Sequence, residues 1–232
     1  MAKLTLYHGS ENIIKTPLYK TGNPKNDYGY GFYCTENAEL AKEWACSEEK
    51  DGFANEYSIN TDGLSILNLS DEKYSILNWL AVLLKNRTFT PSSDIAQKAK
   101  EFLLKNYLIQ YEKYDIIKGY RADDSYFAFA GAFLNNTISI NKLNQAMYLG
   151  KLGEQIVLKS KLAFSKIKFS SVLSAPRSIY YPKKINRDTE ARNRFSQMRS
   201  SIEDSSNEIF IMDIIRGEIK NDDTRIPRIL FN

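Results

Sequence analysis

The chain is poor in the residues that build metal centres and disulfide frameworks: among 232 residues there is one histidine, His8, and two cysteines, Cys34 and Cys46. One His and two Cys cannot complete a tetrahedral zinc set without borrowed carboxylates, so no metal is expected. Two cysteines are too few for a disulfide scaffold, and the first residues hold no long apolar stretch of the signal-peptide kind; together these predict a cytoplasmic protein. No run approaches the roughly 20 apolar residues of a membrane-spanning helix, the longest being interrupted by Asn78, Lys85 and Asn86, so no membrane is expected as a partner. Internal repeats and long low-complexity segments are missing too. So is a strong excess of one charge: 32 Lys and Arg face 28 Asp and Glu, for a net charge of +4 and a pI near 8.8. That is a slight bias toward a polyanionic partner. It describes a solvated surface better than a nucleic-acid reader, which clusters its basic residues on one face.

What is present is a mixture of short strands and amphipathic helices, long enough for one domain or a domain with an appendage. Residues 3–7 alternate as a strand with His8 at its end, and residues 30–35 read as a second strand. Asn37 caps a helix from residue 38 to about 48, with Leu40, Ala41, Trp44 and Ala45 on one face. Strands are predicted at 53–59 and 65–69, a helix from Asp71 to Asn86 or Arg87, and another after Pro91, carrying Ile95, Ala99, Phe102, Leu103 and Tyr107. A buried strand follows at 114–119, a small-residue helix opens at Asp123, Asp124 and Ser125, and a helix covers 143–149. Strands at 155–158 and 166–173 close the pattern. From Ser174 the composition changes: Pro176 and Pro182 flank basic and aromatic residues, and a charged helix is expected from Asp188 to about Glu203. Residues 209–215 are apolar enough to return to a core or meet a partner, as strand or helix. The expected organisation is therefore a domain over 1–173 and a C-terminal appendage over 174–232, packed on the domain or extending it.

Three features carry chemistry, the third of them two separate segments. The only histidine stands in Leu6-Tyr7-His8-Gly9-Ser10, where an apolar run meets a glycine that permits close approach to the backbone. The second, Asp27-Tyr28-Gly29-Tyr30-Gly31-Phe32-Tyr33-Cys34-Thr35, leads into the capped helix ending in Trp44-Ala45. The third comprises Arg121-Ala122-Asp123-Asp124 and Gln155-Ile156-Val157-Leu158-Lys159-Ser160. Singly, each has an ordinary structural explanation: a lone His is usually a satisfied core residue, Tyr33 sits in an aromatic-rich strand, and Trp44 is on a helix face. In this order, however, the first two resemble the NAD-binding half of the ADP-ribosyltransferases, in particular the diphtheria-toxin and poly(ADP-ribose) polymerase branch. With the third, the chain over residues 3–173 is similar to a largely uncharacterised bacterial family of toxin-like relatives of those enzymes.

The resemblance implies an α+β fold with an ADP-ribosyltransferase-like split β-sheet core and inserted and flanking helices. It implies NAD as co-substrate, with cleavage of the nicotinamide–ribose bond through an oxocarbenium-like transition state. His8 would bond a ribose hydroxyl on the adenosine side, the backbone of Gly9 would pair with the nicotinamide amide, and Ser10 would support that amide. Tyr33 would stack on the nicotinamide ring, with Trp44 as a second aromatic wall. The third catalytic position falls on Glu154 or Gln155, which as strand neighbours point to opposite faces. Many of these transferases place glutamate there, whereas the bacterial family places glutamine, and Gln155 is preferred. Asp123, with Asp124, would face the substrate side, cap the following helix, or bind a metal. The expected protein is a mono-ADP-ribosyltransferase acting on a macromolecular acceptor, a toxin or defence effector with an antitoxin or immunity protein as its partner. The alternatives are an NAD glycohydrolase and a catalytically inactive NAD or ADP-ribose binding module.

Overall fold

Alternating apolar residues and glycines placed at chain crossings, more than long helical periods, shape the part of the chain that carries these motifs. A computed structural model describes residues 3–122, 124–149, 151, 153–200 and 208–228. The protein is α+β, the class expected, with two sheets and, among the described residues, eight α-helices. In chain order the elements are β1 (Lys3–Ser10), β2 (Phe32–Cys34), α1 (Ala38–Ala45), β3 (Gly52–Asn60), β4 (Ile66–Asn68), α2 (Ile76–Asn86) and α3 (Asp94–Asn106). They continue as β5 (Ile116–Tyr120), α4 (Asp124–Leu134), α5 (Ile140–Met147), β6 (Glu154–Leu158), α6 (Lys161–Lys166), β7 (Ile167–Ala175), α7 (Arg177–Ser200) and α8 (Ile211–Arg216).

The chain forms two compact units that interleave in sequence. The first unit takes residues 1–68, 111–121 and 152–187 and contains both sheets. One sheet is antiparallel in the order β1-β3-β7, and the other runs β2-β6-β5-β4, its β4–β5 pair alone being parallel. Leu6, Tyr57 and Ile59 of the first sheet pack with Phe32, Cys34, Ile116, Ile156 and Leu158 of the second. The sheets meet where Tyr7 exchanges backbone hydrogen bonds with Thr35, at 2.8 and 3.0 Å, and beyond that bridge β1 and β2 part. The second unit takes residues 69–110, 122–151 and 188–232 and is helical. There α2 is buried from Ile76 to Leu84, and the Asn78 amide donates to the Tyr107 carbonyl at 2.8 Å.

Several boundaries differ from those expected, each for a local reason. The first strand runs on through His8 and Gly9 to Ser10, because Asn55, Ala54 and Phe53 of β3 continue the ladder opposite them. Helix α1 stops at Ala45, where the chain turns toward Gly52. Helix α2 begins after Ser75, whose N–H donates to the Asn78 side-chain oxygen at 2.8 Å, rather than at Asp71. Helix α7 begins at Arg177, eleven residues before the expected start, and carries Pro182 within it. The 209–215 segment is helical over Ile211–Arg216.

Candidate active site

Histidine 8 enters the region from β1. Its ring stacks on Phe32, with centroids 4.3 Å apart and planes at 30°. Nδ1 lies 2.7 Å from the Tyr33 carbonyl oxygen. A carbonyl only accepts, so Nδ1 carries the hydrogen and Nε2 of the neutral ring is an acceptor. Burial lowers the His8 pKa from the ordinary 6.5, outweighing the Tyr33 carbonyl bond that raises it, and so favours that neutral ring.

Glycine 9 has two sides. A β-carbon there would lie 2.1 Å from the Ala41 carbonyl oxygen and 2.9 Å from the Ala45 nitrogen, so α1 itself fills the space a side chain would need. Along the other direction, Tyr7 directs its N–H and C=O toward Thr35, and the two-residue period of a strand turns those of Gly9 the same way, toward the gap where β1 and β2 part. Ser10 Oγ accepts from the Asn12 N–H at 3.1 Å. Buried Asn55, which the sequence reading did not single out, holds the following loop: Oδ1 accepts from Ile14 N–H at 2.8 Å, and Nδ2 donates to the carbonyls of Asn12 at 3.1 Å and His8 at 3.3 Å.

The loop before β2 is tied to Tyr33 and to β6. The Tyr33 hydroxyl donates to Gly29 O at 2.7 Å and accepts from Tyr28 N–H at 3.0 Å. Tyr28 is buried and donates its own hydroxyl to Tyr120 O at 2.7 Å. Gly31 lies flat on β6, since a β-carbon there would stand 2.4 Å from a Val157 methyl. The Lys159 ammonium donates to the carbonyls of Tyr28 and Tyr30. Burial pulls the Lys159 pKa down to about 8, against the Glu112 charge that raises it.

Glutamate 154 and Gln155 part as strand neighbours must. Cys34 pairs with Ile156 and Phe32 with Leu158, all four in the core between the sheets, so Tyr33, Val157 and Gln155 share the opposite face of this sheet. Gln155 is buried there; its Nε2 donates to Asp27 Oδ2 at 2.7 Å and to Tyr120 O at 3.4 Å. Glu154 lies on the Ile156 side, in an ion pair with Lys118 at 2.7 Å, and Lys118 also approaches Glu36 at 3.7 Å.

Helix α1 is fixed at both ends. The Asn37 side chain accepts from Glu39 and Leu40 N–H at 3.0 and 3.1 Å. Buried Glu43 receives two bonds from the Arg187 guanidinium of α7, at 2.8 and 2.9 Å. The helix carries Trp44, against whose ring the Arg121 guanidinium stands 4.0 Å from the centroid. Arg121 belongs to the motif singled out in the sequence, but its place against Trp44 was not foreseen. Asp123 lies outside the described residues. Both cysteines are buried and unbridged, and burial pushes the Cys34 thiol strongly upward in pKa, which suits core packing and not nucleophilic attack. Among the described residues no group of three His, Cys, Asp or Glu is placed to hold a metal ion, and no helix is long and apolar enough to cross a membrane.

A family model described as a protein of unknown function, DUF3990, matches residues 4–169. No curated protein and no solved structure matches the chain.

Proposed function

The chain belongs to the DUF3990 family, and we propose that it is a bacterial NAD-dependent mono-ADP-ribosyltransferase built on a split-sheet core of the ADP-ribosyltransferase kind. The observation that carries this reading is the junction of β1, β2 and β6. His8 is locked onto the Tyr33 carbonyl, the Gly9 backbone faces the gap between β1 and β2, and Tyr33 and Gln155 share one face of the second sheet. Those are the groups a nicotinamide ribosyl donor needs: a hydroxyl acceptor, a backbone donor and acceptor for a carboxamide, an aromatic ring and a polar group at the third position.

In this reading His8 Nε2 accepts a hydrogen bond from the adenosine-side ribose, and the Gly9 N–H and C=O pair with the nicotinamide amide, supported by Ser10. Tyr33 and Trp44 contribute aromatic contact to the nicotinamide. Gln155 orients the nicotinamide ribose as positive charge develops on it. Interactions that strengthen as the carbon–nitrogen bond stretches are the ones that accelerate the reaction. An amide supplies less electrostatic stabilisation of that cation than a carboxylate, which fits transfer of a single ADP-ribose better than polymer synthesis. The acceptor is a macromolecule and the cell biology that of a cytoplasmic toxin or defence effector held in check by an antitoxin or immunity protein.

Nicotinamide release from NAD by the purified protein tests the reading, beside His8→Ala, Gln155→Ala and Glu154→Ala. Release should require His8 and fall further with Gln155→Ala than with Glu154→Ala. Release of free ADP-ribose with no modified acceptor would instead make the protein a glycohydrolase. Saturable NAD binding without turnover would make it a binding module, and neither binding nor turnover would end the NAD reading.

A further inference from the structure

We infer that Asp27 is a positioning residue for the third catalytic position: by holding both N–H donors of Gln155 against itself and Tyr120 O, it leaves the amide oxygen to face the ribose. The inference rests on the NAD-cleaving reading above and adds a residue to it.

A glutamine is ambiguous where a glutamate is not. Its two ends differ only in whether they donate or accept, and a rotation of the amide by half a turn exchanges them. An end that accepts can orient a ribose hydroxyl and tolerate the cation growing beside it. An end that donates presents positive hydrogens to that same cation. The surroundings of Gln155 remove the ambiguity. Asp27 Oδ2 stands 2.7 Å from Nε2, and Tyr120 O stands 3.4 Å from it. Both are acceptors, so the turned amide would set its oxygen against a carboxylate and a carbonyl and lose a charge-assisted hydrogen bond inside a buried site. Asp27 is buried, 6% exposed, and Gln155 is 3% exposed, so water does not readily replace the lost partner. Among the described residues Gln155 Oε1 accepts no hydrogen bond. The carboxylate also polarises the amide, drawing positive charge to Nε2 and leaving Oε1 a stronger acceptor. The pair thereby does with two residues what a glutamate at position 155 would do with one.

Asp27 is itself placed by this loop: Tyr28 reaches the Tyr120 carbonyl and donates its N–H to the Tyr33 hydroxyl. The Tyr33 ring and the Asp27 carboxylate are thus set by adjoining hydrogen bonds, and the orientation of Gln155 is coupled to the stacking residue.

The test exchanges the two groups. Asp27→Asn removes the charge that fixes the amide, and Gln155→Glu sets two carboxylates within hydrogen-bond distance, where they repel. The double variant D27N/Q155E restores a carboxylate–amide pair with its polarity reversed. Nicotinamide release and NAD affinity are measured for all four proteins, with thermal unfolding as the readout of the pair itself. Each single variant should lower kcat by about tenfold to a hundredfold, the weight of one hydrogen bond to a charged group, while the NAD dissociation constant changes far less. The double variant should regain kcat to the wild-type level or above it, since its carboxylate now lies at position 155.

Recovery of kcat in the double variant supports the inference even where a single variant folds poorly. Wild-type kcat in either single variant, or no recovery in a double variant that is folded and binds NAD, overturns it and leaves the NAD-cleaving reading intact. If the wild-type protein cleaves no NAD, that reading fails first. Thermal coupling between positions 27 and 155 would then mark a purely structural pair, and the positioning role would fall with it.

Discussion

Replacing Gly9 by alanine separates two explanations of the same glycine. The sequence suggests a position kept bare so that a ligand can reach the backbone, whereas the structure adds that α1 occupies the space of the missing side chain. A β-carbon at position 9 would sit 2.1 Å from Ala41 O, 2.9 Å from Ala45 N and 3.0 Å from Trp44 Cβ. Comfortable contact between such atoms is about 3.5 Å, so the strand and helix backbones must separate by more than 1 Å. Two of the three atoms belong to main chain inside a helix and cannot turn aside. Overpacking of a well-packed interior costs about 1–3 kcal/mol, and with backbone on both sides the upper end applies. At roughly 2–4 °C per kcal/mol for a chain of this size, Tm should fall by about 6–12 °C. Nicotinamide release should fall as well, because α1 carries Trp44 and Gly9 lies beside His8. Differential scanning calorimetry together with NAD titration checks both. A Gly9→Ala protein with wild-type Tm would refute the packing argument, and if it had also lost NAD binding the glycine would be explained by the ligand alone.

Because the chain has one histidine, the imidazole resonances of His8 can be followed by NMR without assignment, and their midpoint should lie below 6.5, since burial disfavours the charged ring. Between that midpoint and 6.5 the unfolded chain binds more protons at this site than the folded one, so stability rises with pH there and is lost as pH falls below 6.5; a midpoint at or above 6.5 would contradict this. Arg187→Ala leaves the buried Glu43 carboxylate without its two bonds and should cost about 3 kcal/mol, the low end for a broken buried pair, because the Arg187 side chain keeps 26% exposure. Adding Glu43→Ala should return part of that stability, and an unchanged Tm in Arg187→Ala would show that the pair does not hold α7 on α1. Tyr33→Phe removes the bonds to Gly29 O and Tyr28 N–H and should destabilise by about 1–3 kcal/mol while NAD affinity holds. Tyr33→Ala should lose both, and equal loss of NAD binding in the two variants would exclude a stacking role.

Elements with a local signal were the legible ones. Alternation marked β1, Asn37 marked the start of α1, and the polar stretch after Pro91 marked that of α3, where the Ser93 hydroxyl accepts from Ala96 N–H at 3.1 Å. Helix α7 was read short because Pro176 and Pro182 look like breaks. Pro176 precedes the first turn, where no intrahelical N–H is needed, whereas Pro182 in the second turn gives up one bond, and contacts distant in sequence hold the helix: Tyr180 OH to Glu39, Lys184 to Cys46 O, and Arg187 to Glu43. Six-residue α6 escaped because its residues run directly into β7, although Ser160 caps it through Ala163 N–H. At the site, the residues named from the sequence are those with unusual chemistry or a motif neighbour. Asn55 was missed, and Asp27 and Lys159, though inside the motif segments, were given no role, because each is of a type that loops and surfaces ordinarily carry. Only the fold brings them against the loop after β1, Gln155 and the loop before β2.

Each of the three candidate catalytic side chains has part of its polar capacity committed within the protein. His8 gives Nδ1–H to Tyr33 O and keeps Nε2 as an acceptor. Gln155 gives Nε2 to Asp27 and Tyr120 O and keeps Oε1. Tyr33 both donates and accepts through its hydroxyl, so what it brings to a ligand is its ring. A site that had to choose these orientations on binding would lose rate to every wrong rotamer, whereas here the choice is made during folding, by backbone carbonyls and one buried carboxylate. Such preorganisation is the usual source of transition-state stabilisation when no strong acid or base is at hand. It also divides the effects of mutation: changes to the reactive atoms should act on kcat with the fold intact, and changes to the holders should act on stability and kcat together.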